Sequence, residues 1–540
     1  MKRGISLLRH ILILGLLTLG TAGAQPTNPD WHLQDPEKNL IQGISAERAY
    51  ERLQGRPSTT VVVAIIDSGI DIDHEDLKGV LWTNPREVAS NGVDDDKNGY
   101  IDDIHGWNFI GGKAGEVNED TYELTREFMR LDKQFAAIPE NKVPGKKRKE
   151  YERYQAVKDK FTRLRDENRD EYEYYKKLSR NLNLSLDTLR ATLKTERITA
   201  ETIDTFHSTT PTLSFAKGFA RLLLSNADPG TELSKIKKDL DEAVEHYRVI
   251  VEYGYNTEFD SRVLVGDNYA DVRERNYGNN NVEGPEPSHG THVAGIVAAD
   301  RTNGLGVNGI ADNVRIMSVR AVPNGDERDK DVANAIRYAV DNGARIINMS
   351  FGKSISPDKA VVDEAVAYAE KKGVLLIHGS GNEKKDNDRE GNFPTANYAN
   401  GKQARNWLEV GATASGTGKD FVADFSNYGK KSVDVFAPGV DIYSTVPNNG
   451  YEEKSGTSMA APVVTGIAAL LWSYFPELTA PQVADIIKAS TRKFDRLTVN
   501  KPGGGETEFS ALSNTGGLVN AYTAVSLALP GQSQVSGSAK

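Results

Sequence analysis

Cysteine is absent from the 540 residues of this chain. The protein therefore has no disulfide framework, no thiolate metal site, no cysteine nucleophile and no lipid-modified cysteine behind an export signal. Long apolar runs are scarce, and the clearest one, at residues 11–19, lies near the N-terminus. Positive charge is in deficit, with 66 Lys and Arg against 76 Asp and Glu and a net charge of −10. This balance gives no electrostatic support for nucleic-acid binding.

The N-terminal segment has the pattern of a secretory signal peptide. The basic residues Lys2, Arg3 and Arg9 precede the apolar run, and the small residues 22–24 follow it. The pattern predicts cleavage after Ala24, a signal peptide at 1–24 and an N-terminal extension at 25–58. It also predicts an exported protein, periplasmic or extracellular. An uncleaved membrane anchor is the alternative, but the run is short for stable membrane insertion.

Short apolar runs alternate with Ala-rich amphipathic segments from about residue 288 to 527. This alternation predicts an α/β fold, in which a mostly parallel sheet carries helices on both faces. Strands are predicted at residues 61–66, 314–322, 346–351, 374–377, 408–412 and 433–436, and helices at 331–342, 359–372, 458–474 and 480–490.

A different pattern occupies residues 120–255, where charged residues and tyrosines dominate and apolar residues recur at spacings of three and four. Each such stripe is typical of an amphipathic helix. We predict a helical insertion here, between two parts of the α/β domain at 59–119 and 256–530, with a flexible tail at 531–540. The insertion is either a solvated subdomain without chemistry or a segment that gates substrates or binds an unknown partner. The stripes are Leu124, Phe128, Leu131 and Phe135; Tyr151, Tyr154, Val157, Phe161 and Leu164; and Ile236, Leu240, Val244, Tyr247 and Val251.

Two candidate catalytic residues follow from local patterns. Asp67 directly follows the run at 61–66, and ligand sites of open α/β sheets lie at the carboxyl ends of strands. His289 stands among glycines at the predicted start of a helix, where one ring nitrogen can face a carboxylate and the other a hydroxyl. Zinc binding by His289 and His292 is the alternative, although the Glu of an H-E-x-x-H pattern is missing.

Ser458 lies where Gly456 and Thr457 lead into an alanine-rich helix. Free N–H groups at a helix N-terminus favour a developing negative charge, which suits a nucleophile whose attack creates an oxyanion. A plain serine cap is the alternative. Asn382 follows the predicted strand at 374–377, and its amide could donate to the same oxyanion beside the Ser458 backbone N–H.

Taken together, the order Asp67, His289, Ser458, with Asn382 and the flanking glycines, resembles the subtilisin-like serine peptidases. Other Ser–His–Asp hydrolases place the triad in a different chain order. The resemblance covers about residues 59–108 and 285–527. It implies a serine endopeptidase without a catalytic cofactor, acting on proteins or peptides. Ser458 would attack the scissile carbonyl, His289 would transfer the proton, and Asp67 would fix the histidine tautomer.

The resemblance further implies two substrate-binding segments. One pairs with the substrate backbone as an added strand, and the other lines the primary specificity pocket. These segments are Ser350, Phe351 and Gly352, and Gly379, Ser380 and Gly381.

The chain departs from the family pattern in two places. Asp67 and His289 are 222 residues apart, which leaves room for the helical insertion. We hypothesise that the insertion restricts which substrates reach Ser458. The short segment before Asp67 leaves no large prodomain, so the mode of activation is not predicted.

An acidic loop at residues 94–103 has the spacing of an EF-hand-like calcium loop. The glutamate usual at the twelfth position is missing, where His105 stands, and Asp103 would substitute by a different loop path. A structural calcium is predicted here, with a hydrated acidic loop as the alternative. The predicted oxygen ligands come from Asp94, Asp96, Asn98, Tyr100 and Asp102.

Two rival functions compete with the peptidase. A catalytically silent binding protein would not need the complete set of Asp67, His289, Ser458 and Asn382. An esterase or lipase would need a G-x-S-x-G elbow and the order Ser, Asp, His, and this triad has neither. Labelling by a fluorophosphonate probe separates the silent protein from the enzyme.

Overall fold

The computed structural model describes residues 29–529, which form two compact units. One unit consists of residues 124–258, and the other of the remaining described residues. The predicted signal peptide at 1–24 and the tail at 531–540 lie outside the described residues.

The larger unit is built on a nine-stranded sheet. Its strand order is β12-β15-β9-β8-β7-β6-β1-β5-β2, and every pair is parallel except β12 with β15. Three two-stranded antiparallel ribbons complete the strands. The strands are β1 Val61–Asp67, β2 Gly106–Asn108, β3 Gly111–Gly112, β4 Gly115–Glu116, β5 Val314–Arg320, β6 Ile346–Met349, β7 Leu375–Gly379, β8 Trp407–Thr413, β9 Val435–Pro438, β10 Ile442–Val446, β11 Gly450–Lys454, β12 Arg492–Lys493, β13 Thr498–Asn500, β14 Glu506–Glu508 and β15 Gly517–Leu518.

The helices complete both units. The α-helices are α1 Pro36–Asn39, α2 Ala46–Leu53, α3 Glu123–Phe135, α4 Arg148–Leu193, α5 Ala200–Asp204, α6 Pro211–Leu224, α7 Leu233–Val249, α8 Arg262–Val265, α9 Ser288–Ala298, α10 Asp329–Asp341, α11 Lys359–Lys372, α12 Thr457–Tyr474, α13 Ala480–Ala489 and α14 Ala521–Ala528. Short 3₁₀ turns lie at Trp31–Leu33, Glu140–Lys142, Gly145–Lys147 and Phe509–Ala511, and a π-helical turn at Ile250–Gly254.

Alternating residues of β1 enter two separate hydrophobic cores. Val63 and Ile65 pack into the core that contains α12, whereas Ala64 and Ile66 pack into the core that contains α10 and α11. Because successive side chains of a strand point to opposite faces, helices cover both faces of the sheet. The predicted fold class is confirmed.

The smaller unit is helical. The long helix α4 packs against α6 and α7, and their apolar stripes meet in one hydrophobic core. Tyr175 stacks on Tyr247 with ring centroids 5.3 Å apart, which joins α4 to α7. Charged residues cover the other helix faces, as the sequence stripes indicate.

Helix α12 is long and apolar enough to cross a membrane, the one such helix among residues 29–529. Of this segment, 89% is buried inside the protein. Its apolar character is therefore that of a core helix.

Candidate active site

A carboxylate and an imidazole form a hydrogen-bonded pair at the end of β1. His289 Nδ1 lies 2.7 Å from Asp67 Oδ1, and the same oxygen accepts the backbone N–H of Ser68 at 2.8 Å. The Asp67 side chain is 3% exposed and that of His289 is 39% exposed. Because Nδ1 is engaged by the carboxylate, Nε2 is the nitrogen left to face a reactant.

The pKa of His289 lies above its ordinary value. Burial lowers this pKa, but the charge of Asp67 and the hydrogen bond to it raise the pKa by more. Lys454 offsets part of the rise, and its Nζ donates to Ser288 Oγ at 2.8 Å, next to the histidine in the chain. The ring is therefore a stronger base than a free histidine, which favours proton transfer from a hydroxyl.

Gly290 allows α9 to approach the end of β1 closely. A methyl group on Gly290 would collide with the carbonyl oxygen of Gly69 and would lie 3.1 Å from Asp67 Cβ. A larger residue would push the helix, and His289 with it, away from the carboxylate.

Ser458 lies in the first turn of α12, which packs against α9. Its hydroxyl donates to the carbonyl of Ser350 at 3.0 Å, and the Ser350 hydroxyl donates to the carbonyl of Ser458 at 2.9 Å. The second bond is possible because Pro462 has no N–H with which to satisfy that carbonyl in the helix. In this structure the Ser458 hydroxyl thus bonds to Ser350 rather than to His289, and a proton transfer from Ser458 to His289 would require it to change partner.

Thr457 orients the carboxamide of Asn382. Asn382 Oδ1 accepts from the backbone N–H and from the hydroxyl of Thr457, both at 3.0 Å. A methyl group on Gly456 would lie 3.5 Å from Asn382 Nδ2 and 3.5 Å from the Ser458 backbone nitrogen. The two nitrogens therefore border one small space beside Ser458. The role of Thr457 was missed at the sequence level, although its place between Gly456 and Ser458 was a signal.

We expect Asn382→Ala to lower kcat by a factor of about 10²–10³, the usual cost of one oxyanion donor, with a smaller change in KM. Gly456→Ala should also lower kcat, because its methyl group would occupy the space between the two donors. The φ of Gly456 is 165°, an extended value that alanine adopts. Steady-state kinetics on one peptide substrate tests both variants. Asn382→Asp loses the donor and places a negative charge beside the oxyanion, so it should lower kcat at least as far as Asn382→Ala. A wild-type kcat in Asn382→Ala would exclude this donor.

The two predicted substrate-binding segments lie side by side. Ser350, Phe351 and Gly352 follow β6, while Gly379 ends β7, its parallel neighbour. Gly381 is joined to the helix of Ser458, because its N–H donates to Thr457 Oγ1 at 3.1 Å. Ser380 is fully buried, and its hydroxyl donates to the carbonyl of Asn427. Its side chain therefore fixes the segment of Gly379 and Gly381 to the protein interior.

The carboxylates of the acidic loop fall into two groups: some accept backbone N–H groups, and others form a cluster. Asp94 accepts the backbone N–H groups of Asn98 and Gly99, and Asp102 accepts those of Asn91 and Gly92. The Tyr100 N–H bonds to Asn98 Oδ1, and the Tyr100 ring packs on Trp107. A second set of carboxylate oxygens, within 4.8 Å of one another, comes from Glu87, Asp96 and Asp103. Glu87 was not among the predicted ligands, and no sequence spacing marked it.

His292 has a partner of its own. Its Nε2 lies 3.0 Å from the carbonyl oxygen of Glu452, and burial lowers the pKa of His292 to about 3. Within residues 29–529, the group of Glu87, Asp96 and Asp103 is the only cluster of at least three possible metal ligands. The described structure therefore gives no support to a zinc site at His289 and His292.

The geometry at Asp67 and His289 agrees with the comparison with known families. A sequence model described as the subtilase family matches residues 58–508, which is most of the chain. The chain belongs to the subtilase family. The predicted resemblance to the subtilisin-like serine peptidases is thereby confirmed.

Three curated relatives of this subtilase are a bacterial serine proteinase, an elastase and thermitase. It is 41% identical over 239 residues to the thermophilic serine proteinase of Bacillus sp. (strain AK1), covering 44% of this chain and 52% of the relative. It is 37% identical to alkaline elastase YaB of Bacillus sp. (strain YaB), covering 48% and 61%. It is 38% identical to thermitase of Thermoactinomyces vulgaris, covering 44% and 74%. The match thus spans about half the length of the first of these relatives.

Proposed function

We propose that this subtilase is an exported serine endopeptidase whose catalytic triad is Asp67, His289 and Ser458. The observation that carries the proposal is the 2.7 Å pair of Asp67 and His289 at the carboxyl end of β1. Ser458 lies in the first turn of α12, which packs against the helix of His289. Labelling of Ser458 by a fluorophosphonate probe tests the proposal.

Acylation begins when the Ser458 hydroxyl leaves the carbonyl of Ser350 and bonds to His289 Nε2. Ser458 Oγ then attacks the scissile carbonyl while the imidazole takes its proton. The resulting imidazolium is stabilised by the buried charge of Asp67 and passes its proton to the leaving amine. Water repeats the sequence on the acyl-enzyme and regenerates the hydroxyl.

The oxyanion would lie in the space beside Gly456, where Asn382 Nδ2 and the Ser458 N–H can donate to it. Thr457 bonds to Asn382 before substrate arrives, so the carboxamide does not have to reorient during the reaction. Such preorganised donors supply a large part of the rate enhancement of acyl transfer.

The substrate would bind in extended form along Ser350, Phe351 and Gly352. These residues continue β6 beyond the sheet, where backbone groups can pair with an added strand. Gly379, Ser380 and Gly381 would form the opposite wall around the side chain that precedes the scissile bond. Proteins and peptides are the proposed substrates.

Export is proposed on the N-terminal sequence pattern, which lies outside the described residues. The predicted mature chain begins at Gln25. Mass spectrometry of protein from the periplasm and the culture medium tests the cleavage and separates the two compartments. If residues 1–24 are still present in the protein, the proposed cleavage and export are contradicted.

Restriction of access by the helical unit is also proposed, on the length of chain that separates Asp67 from His289. Replacing residues 124–258 by a short linker should widen the range of proteins that are cut. A folded variant with unchanged selectivity would contradict the gating role and leave the unit as a solvated subdomain.

A structural calcium ion is proposed at the acidic loop, held by Glu87, Asp96 and Asp103. The donor set is all oxygen, as calcium prefers. Glu87 Oε2 is buried and has no hydrogen-bond partner within the described residues, so a cation would satisfy it. The loop spacing alone had suggested Asp94 and Asp102, whose oxygens are engaged by backbone N–H groups.

Calcium at one hundred times its Kd should stabilise the folded protein by about 2.7 kcal/mol. We therefore expect the melting temperature to fall on chelation and to recover with calcium. The double variant Glu87→Gln, Asp103→Asn should lose this response, whereas the exposed control Glu477→Gln should keep it. Calorimetry with and without chelator measures the shift, and identical melting in both would exclude the ion.

A further inference from the structure

Lys353 directly follows the proposed substrate-binding segment at residues 350–352, and its side chain is buried. The ammonium group faces three acceptors: Glu123 Oε2 at 2.8 Å, Asp329 Oδ1 at 2.9 Å and the carbonyl of Glu327 at 2.7 Å. An ammonium has three N–H groups, so each of them can donate to one of these oxygens. The end of the Lys353 side chain is therefore held in one position.

The backbone of Lys353 joins the same segment to another part of the chain. Its N–H donates to the carbonyl of Phe393 at 3.0 Å, and its carbonyl accepts the N–H of Phe393 at 2.8 Å. Ser350, at the other end of the segment, exchanges two hydrogen bonds with Ser458. The segment is thus fixed at both ends, and a shift of Lys353 would change the path of residues 350–352.

Glu123 lies at the point where the chain enters the helical unit. It is the first residue of α3, and the rest of this helix belongs to that unit. Its backbone N–H donates to Asp326 Oδ2 at 2.8 Å, and its carboxylate pairs with Lys353. The ion pair therefore links the start of α3 to the end of the substrate-binding segment.

The charged groups of this link are shielded from water. The side-chain exposures are 2% for Lys353, 5% for Glu123 and 6% for Asp329. Removing charges from water costs about as much as their attraction returns, so apolar side chains of similar volume would stabilise the fold as well. Displacing one partner, however, would leave a buried charge uncompensated, which is strongly unfavourable. The pair thus restricts Lys353 and Glu123 to one relative position.

We propose that Lys353 is a positioning residue for the substrate-binding segment, and that Glu123 makes its position depend on the first turn of α3. The proposal rests on the proposed peptidase function and adds a means of regulating the same site. A movement of α3 at its first turn would shift Lys353, and with it the backbone groups that pair with an extended peptide. Peptide affinity would then change without any change in the triad.

The test compares Glu123→Gln, which keeps the shape and removes the charge, with Asp120→Asn as the matched control. Asp120 lies three residues earlier and is also buried, but it pairs with Arg328 instead of Lys353. Two substrates are needed. A tetrapeptide amide can pair along residues 350–352, whereas the ester of a single acetylated amino acid is too short to do so.

Glu123→Gln should raise the KM of the tetrapeptide about fivefold or more, the lower end of typical coupling between sites, with kcat near the wild-type value. Its kcat/KM for the ester should not change, and Asp120→Asn should behave like the wild type on both substrates. Lys353→Met should raise the KM of the tetrapeptide at least as far. Because both changes break the same pair, the double variant should be no worse than Lys353→Met alone.

An unchanged KM of the tetrapeptide in Glu123→Gln would overturn the proposal, and so would an equal rise in Asp120→Asn. Equal losses on the tetrapeptide and the ester would also overturn it, since they would indicate a loosened active site. If Lys353→Met does not fold, the comparison of Glu123→Gln with Asp120→Asn still decides. Fluorophosphonate labelling of each variant separates these results from failure of the peptidase function, in which neither labelling nor cleavage occurs.

Discussion

Ser458→Ala should lose about a million-fold in kcat and should no longer react with a fluorophosphonate probe. The loss should be this large because, in the proposed mechanism, the hydroxyl oxygen forms the bond to the acyl group, and neither His289 nor the proposed oxyanion donors can replace it. The residual rate should still exceed that of the uncatalysed reaction, since binding and oxyanion stabilisation persist. Single-turnover kinetics on a fluorogenic peptide and probe labelling followed by mass spectrometry measure both effects.

The matched control is Ser455→Ala, three residues earlier on the same segment. The Ser455 hydroxyl bonds to Asp441 and not to any proposed catalytic group. This variant should label and cleave like the wild type. If Ser458→Ala were labelled and cleaved the peptide as well as Ser455→Ala does, Ser458 would not be the nucleophile.

Asp67→Asn should lower kcat by about 10⁴, because the carboxamide cannot hold His289 in the tautomer that leaves Nε2 free to accept a proton. Asp67 also raises the pKa of His289 above its ordinary value through its charge and its hydrogen bond. In the variant these contributions disappear, while the lowering effects of burial and of Lys454 persist.

The pH profile of kcat/KM tests the direction in which the pKa of His289 changes. In the proposed mechanism His289 must be neutral to take the proton, so the wild-type kcat/KM should rise with pH through a pKa above the ordinary histidine value. The acid limb of Asp67→Asn should move to lower pH, although the plateau is far lower. Glu283→Gln is the control, because it removes a negative charge from the loop that contacts Gly69. Its acid limb should stay at the wild-type pH. If the acid limb of Asp67→Asn stays at the wild-type pH, the Asp67 carboxylate does not raise the pKa of His289, and the prediction is wrong.

Much of the sheet was predictable because its strands are buried on both faces. The run at 61–66 contains only valine, alanine and isoleucine, and the strand at Val61–Asp67 differs from the prediction by one residue. Lys359–Lys372 is a helix with the bounds that its apolar period and the following Gly373 predict. The strand predicted at 433–436 is observed at Val435–Pro438, so the prediction is displaced by two residues.

The acidic loop shows where sequence spacing is insufficient. Counting positions favours Asp102 as a ligand, but Asp102 has a φ of 52° and its carboxylate accepts backbone N–H groups at Asn91 and Gly92. The next carboxylate, Asp103, bonds to Asn84, Asn98 and the Tyr338 hydroxyl. A left-handed turn at one residue thus changes which carboxylate faces the cluster, and periodicity contains no information about such a turn.

The sequence by itself determined the residue types of the proposed triad, their order along the chain and the two periodicities of the sheet and the helical unit. These features are local, because a strand, a helix start or a glycine turn depends on a few neighbouring residues. The tertiary structure alone decided that Ser350 holds the Ser458 hydroxyl, that Glu87 joins Asp96 and Asp103, and that Lys353 pairs with Glu123. Each of these contacts joins distant parts of the chain or depends on the path of a loop, so it exists only once the strands have taken their places in the sheet.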